Sequence, residues 1–236
     1  MRKTLGLMEI DPHDRRLHTY EYRTLKGAKG DSPTWCRRRP LDEIYKRYMA
    51  LLTQLDPNPL FRIKPVTYER EIILDRVVFS DTILCWAHAG EAVEILPVVI
   101  GQIMARAVGS MPLRAGLAFG ECVIDPANDI YIGQPIIDAY RTEQAQEWMG
   151  GAFHPSCWTM HGLLEKLCKG YERSAVKYAV PVKTAATRLE YALNWPLLAD
   201  TPVSGDLLTA AETSAAPAAK VKWRNARRFY DTVLAK

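Results

Sequence analysis

No stretch of this sequence is apolar for long enough to span a bilayer. Its start, Met1-Arg2-Lys3-Thr4-Leu5-Gly6-Leu7, lacks the apolar run of an export signal and is soon followed by acids. A soluble cytoplasmic chain is therefore expected. Long runs of Lys and Arg beside aromatic residues are also missing, and the net charge is only +4. That balance permits an anionic ligand such as a nucleotide and predicts no stable nucleic-acid partner. The five cysteines (Cys36, Cys85, Cys122, Cys157 and Cys168) are odd in number, scattered and mostly within apolar segments, which excludes a disulfide framework. No Ser-His-Asp or Cys-His series stands out for a hydrolase. His154, Cys157 and His161 have zinc-ligand chemistry but no fourth ligand nearby, and they sit in an apolar patch.

What is present suits one sizeable domain with a tail: 236 residues, 48% hydrophobic, enough for a real core. Residues 4–11 alternate as a strand that puts Leu5, Leu7, Glu9 and Asp11 on one face, and Pro12 ends it. Residues 26–40 read as a solvated loop. Asp42 opens a helix whose buried stripe includes Tyr45, Tyr48 and Leu52, broken by Asp56-Pro57-Asn58-Pro59. A second helix is expected from about Glu91 to Val108, stopped by Gly109. Leu113–Gly120 reads as a small-residue strand, and Ile130–Gly133 as a short one. Further helices are expected from Pro135 to about Trp148 and from Thr159 to Leu167, and late strands over Lys177–Lys183 and Tyr191–Trp195.

Residues 198–219, rich in Ala, Thr, Ser and Pro, read as a flexible linker, and 220–236 as a short basic amphipathic helix that docks on its own domain. The expected organisation is a folded domain over 1–197, the linker and the tail helix. Helices and strands mix without strict alternation, which predicts an α+β fold with an antiparallel or mixed sheet flanked by helices.

The stretch Arg76–Trp86 is the chemical focus. Two apolar β-type runs flank Ser80-Asp81-Thr82, so an acid is expected at the tip of a hairpin. Asp81 reads either as the cap of its own turn or as a metal ligand. If the first strand lies beside this hairpin, Asp11 and Asp81 form a pair of hard oxygen ligands suited to Mg²⁺ or Mn²⁺ carrying a triphosphate. Asp11 reads equally as a strand-end acid in water. Glu121 has the same two faces, a base or a solvated strand end. Arg141, near Glu143 and Glu147, is either a phosphate-directed cation or a partner in surface ion pairs.

The ordered series Phe79-Ser80-Asp81-Thr82-Ile83, then Leu113-Arg114-Ala115-Gly116-Leu117-Ala118-Phe119-Gly120-Glu121, then Tyr131-Ile132-Gly133-Gln134-Pro135 through Glu143 resembles the class III nucleotide cyclase core. Tyr178–Lys183 and Leu193-Asn194-Trp195-Pro196 resemble its bacterial Pycsar branch, antiphage enzymes that make cyclic UMP or cyclic CMP. The resemblance spans roughly residues 4–197. It implies that Asp11 and Asp81 hold the metal and that Arg141 steadies the transition state. It also implies a homodimer in which the arginine of one chain serves the metal acids of the other. Asp129 and Tyr48 are implied to meet the base. Lys183 reads either as a phosphate contact or as a solvated strand lysine.

Ile137 stands where many members have an asparagine. Val77 stands near the place of a purine-reading lysine, in keeping with UTP or CTP as substrate. Pro12, in place of the usual glycine after the first acid, removes a backbone donor, for which the side-chain charge of Arg15 and Arg16 could compensate. These departures leave a second reading: a cyclase-fold nucleotide-binding or scaffold protein without turnover.

Overall fold

A computed structural model of the chain describes residues 2–10, 75–79, 82–88, 92–109, 111–160, 162–170, 173–199 and 201–235. Strand β1 (Arg2–Ile10) is followed, among the described residues, by β2 (Asp75–Phe79) and β3 (Thr82–His88), which pair as an antiparallel hairpin with Phe79 opposite Thr82. Helix α1 (Ala92–Ala107) comes next, then the long strand β4 (Leu113–Asp125), β5 (Ile130–Gly133) and helix α2 (Gln134–Ala145). The chain continues through β6 (Gly151–Phe153), α3 (Leu163–Lys169), β7 (Ala175–Lys177), β8 (Tyr191–Leu193), α4 (Trp195–Leu198), α5 (Gly205–Ser214) and α6 (Pro217–Leu234).

The strands form one eight-stranded sheet in the order β2-β3-β1-β4-β6-β8-β7, with β5 pairing β4 as a side ribbon. The β4–β6 pair is parallel and the other strand pairs are antiparallel, so the fold is α+β with a mixed sheet flanked by helices. Period-two alternation gives each strand two duties. On β3, Ile83, Cys85 and Ala87 enter the main core, while Leu84 and Trp86 enter a smaller cluster with Ala118, Cys122 and Ala139. Helix α1 is apolar nearly all round, which fits a helix covered on both sides. It lies between the sheet and α4, with Gly101 against Leu198, and Leu208, Trp223 and Phe229 of the tail helices belong to the same core. Gly109, at φ +81°, ends α1 in a backbone conformation that favours glycine.

On the other face α2 lies against β4. Gly116 allows the close approach, since a Cβ there would collide with the backbone of Ala139 and Glu143. No described helix is long and apolar enough to cross a membrane.

Several local expectations shift. The stretch read as a linker carries α5, capped by Ser204, whose hydroxyl accepts from the Asp206 amide at 3.2 Å. Alanine is the best helix former, so a composition that reads as low complexity becomes a helix once Leu208 and Ala211 have a surface to bury against. The tail helix is longer than expected and buries Ala219, Lys222, Trp223, Ala226, Phe229 and Val233 along one stripe. Residues 178–183 run on after β7 outside the regular strands, joined at Val182 to Gln146 by a single bridge. Trp195 opens a short helix instead of ending a strand, because Pro196 supplies no ladder donor. The helix expected over 159–167 begins only at Leu163, as α3, and a 3-10 turn at Pro155–Trp158 precedes it.

Candidate active site at the strand ends

The register of β1 determines what meets at one end of the sheet. Glu9 stands opposite Thr82 of β3 on one side and Arg114 of β4 on the other, and Ile10 stands opposite Leu113. The end of the strand that precedes Asp11 and the start of the strand that follows Asp81 are thus neighbours. Asp11, Asp81 and Tyr48 themselves lie outside the described residues.

Helix α2 returns along β4 toward this same end. A Cβ on Gly120 would meet Pro135, and Glu143 reaches Arg114 about two turns later along the helix. The buried positions of α2 are Pro135, Ala139, Thr142 and Glu143, spaced by three and four residues as a sheet-facing stripe requires. Arg141 falls off that stripe and is exposed, beside Ile137 at 46% and Tyr140 at 52% exposure.

Glu143 is not a surface partner of Arg141, as a reading of helical neighbours suggests. It points into the protein and pairs with Arg114, Nε to Oε1 2.6 Å, with both side chains buried. Its second oxygen accepts from Gln144 Nε2 at 2.7 Å. Below it Gln146 donates to the carbonyls of Ala115 and Thr142, 2.9 Å each, and accepts from Trp148 Nε1 at 2.6 Å. A charge pair taken out of water is costly to break, because removing one partner leaves the other buried and uncompensated.

Lys183 joins this region through its backbone, donating to Ala145 O at 2.9 Å. Desolvation holds its ammonium below the usual lysine range, helped by Arg114 and Lys222 and opposed by Glu143 and Glu147. The structure therefore puts Lys183 at the end of the helix that carries Arg141. Asp129 is elsewhere. It sits at φ 55° in the turn between β4 and β5, exposed, with its amide donating to Pro126 O at 3.4 Å. Strand β4 has 13 residues. At about 3.3 Å per residue, its length separates Asp129 from the Leu113 end by roughly 40 Å of strand path.

The remaining candidates have ordinary surroundings. His154 Nδ1 contacts Ser156 Oγ at 2.9 Å and Asp138 at 3.6 Å. Cys157 is buried with its thiol donating to Leu117 O at 3.4 Å, and burial pushes that thiol up. His161 lies outside the described residues. Among the described residues no group of three or more His, Cys, Asp or Glu is placed to hold a metal ion. Burial also pushes the Cys85 thiol up to about 12, so it stays protonated. Glu121 is exposed on β4, and Val77 packs against the Leu84–Trp86 cluster.

Sequence reasoning missed Arg114, Gln146 and Lys222, all buried. A signal existed for the first, an arginine inside the otherwise small and apolar run Leu113–Gly120, where a charge needs a partner. No family model matches the chain, and no curated protein matches its sequence.

Proposed function

We propose that the protein is a pyrimidine nucleotide cyclase of the class III type, converting UTP or CTP to the 3′,5′-cyclic monophosphate and pyrophosphate. The observation that carries this reading is the pairing of β1 with β3, which makes neighbours of the strand ends adjoining Asp11 and Asp81. Acids from adjacent strands fit Mg²⁺ or Mn²⁺, hard ions that take oxygen ligands and leave positions for phosphate oxygens. Asp11 and Asp81 hold the ion, and when bound it neutralises charge on the triphosphate and the leaving pyrophosphate. The ribose 3′-hydroxyl gives its proton to water, its oxygen attacks the α-phosphorus in line, and the bond from the α-phosphorus to the oxygen that bridges it to the β-phosphate breaks as pyrophosphate leaves. Arg141 offers a permanent charge to the α-phosphate oxygens as that bond changes. Lys183 meets the outer phosphates, and Tyr48 and Asp129 the base.

Two copies make the site. Arg141 is exposed beside Ile137 and Tyr140, and the β4–β5 ribbon leaves Val123 and Ile132, 61% and 66% exposed, opposite one another. Apolar residues exposed around a charged one favour a covering partner. The length of β4 keeps Asp129 away from the acid end of its own chain, so the two share a site only across copies. The cyclic product serves as a cytoplasmic second messenger in antiphage defence.

Incubation of the pure protein with each of the four NTPs and Mn²⁺, with products read by mass spectrometry, tests this. Cyclic UMP or cyclic CMP is expected from wild type and none from Asp81→Ala, and Arg141→Ala is expected to lower kcat by about 10³. Absence of any cyclic product from wild type rejects the enzyme. Nucleotide binding indifferent to metal, without pyrophosphate release, would select a binding or scaffold protein. Ile137 and Pro12 favour that second reading.

A further inference from the structure

The segment after α2 is held from three sides. Gln146 binds β4 through Ala115 O and is bridged to Val182, and Glu147 N donates to Pro181 O at 2.8 Å. The third support is the tail. Asn225 Nδ2 of α6 donates to Glu147 O at 2.7 Å, Met149 N reaches Lys222 O at 3.4 Å, and Phe229 packs edge-on against Trp148 with centroids 4.8 Å apart.

Lys222 is only 3% exposed, an extreme place for a lysine. Its charge acts on Lys183 together with those of Arg114, Glu143 and Glu147, which brings charged groups from β4, α2, the 178–183 segment and α6 to one junction. Burying an ammonium is costly unless its surroundings compensate it, and the residue joins α6 to this segment through its carbonyl, which accepts from Met149 N.

We propose that α6 is a positioning element for α2: seated on residues 146–149 through Lys222 and Asn225, it fixes the turn of α2 that holds Glu143 against Arg114 and carries Arg141. Glu143 lies two residues beyond Arg141, so a loosened Arg114–Glu143 anchor lets the exposed arginine drift. Lys222 and Asn225 are positioning residues, acting through α2 without touching substrate. The effect on turnover rests on the cyclase reading, whereas the effect on α2 does not.

Two full-length variants test this. Lys222→Met keeps the stem and removes the charge. Asn225→Ala removes one hydrogen bond and leaves the apolar stripe of α6 intact, so it remains informative if the first variant fails to fold. Hydrogen–deuterium exchange of the peptide covering 139–145 is expected to rise in both, by about tenfold in Asn225→Ala. With a nucleotide that wild type turns over, kcat is expected to fall by about tenfold while KM stays within about twofold. Unchanged exchange at 139–145 in the folded variants overturns the inference even for a chain that turns nothing over. Raised exchange with full kcat, or an equal loss in KM, overturns the positioning of Arg141. A wild type without activity rejects the cyclase reading and leaves the exchange result to decide the rest.

Discussion

The two faces of the sheet are built differently. On the α1 side the interior is apolar, with Leu96, Leu117, Trp195, Trp223 and Phe229 closing it, and the helices of the tail seal it from outside. On the α2 side the interior holds Arg114, Thr142, Glu143 and Gln146, while apolar side chains such as Ile132, Ile137 and Tyr140 stand outside. Both sides leave some apolar groups outside, Leu197, Leu207 and Val221 among them on the tail side, and the α2 side also buries the small cluster of Leu84, Trp86 and Ala118. What sets the α2 side apart is the buried Arg114–Glu143 pair within it, close to the strand ends and to the helix that carries Arg141.

The contrast can be broken most severely at its buried charge. Glu143→Ala leaves Arg114 uncompensated and should cost about 3–5 kcal/mol in a denaturant titration. Adding Arg114→Leu should return a large part of that loss, whereas on the apolar side Leu96→Ala should cost about 2–5 kcal/mol with no such partner to restore it. Equal losses in the single and double charge variants would remove the distinction between the faces.

A smaller effect is expected at the exposed ribbon. Ile132→Asp should weaken self-association by tenfold or more, about 1.4 kcal/mol or above, seen by light scattering across a dilution series. Because Ile132 is exposed in the single chain, its thermal midpoint at dilution should hardly move. Association unaffected by this charge would remove the ribbon from any interface between copies.

The smallest effect concerns pH. Lys183 binds its proton less tightly in the fold than in the unfolded chain. Between its lowered value and the ordinary 10.5 the unfolded state carries more protons, so stability should rise with pH across that alkaline window. Lys183→Met should flatten the rise, with a change below roughly 1 kcal/mol because the group is only partly buried. An unchanged alkaline slope would mean that the ammonium does not feel the junction.

Much of the local structure was legible from residue patterns. The hairpin over 75–88, the apolar helix before Gly109 and the β4–β5–α2 series follow from spacing that each segment carries within itself. The tail was misread in part because Ala-rich sequence suits either a linker or a helix, and only Leu208 and Ala211 finding a surface decides between them. The partner that Glu143 takes is on β4, far away in sequence, so the stretch around Arg141 could not show it.

By itself, then, the sequence determined the order and type of most elements, and the acid in the hairpin, because hydrophobic period and turn chemistry are local. Tertiary structure alone decided that β1 lies between β3 and β4, that Arg114 and Glu143 share a buried pair, and that Lys222 comes from the far end of the chain to the same junction. Those are pairings between distant residues. Their free energy comes from desolvation and packing, which no single stretch of chain contains.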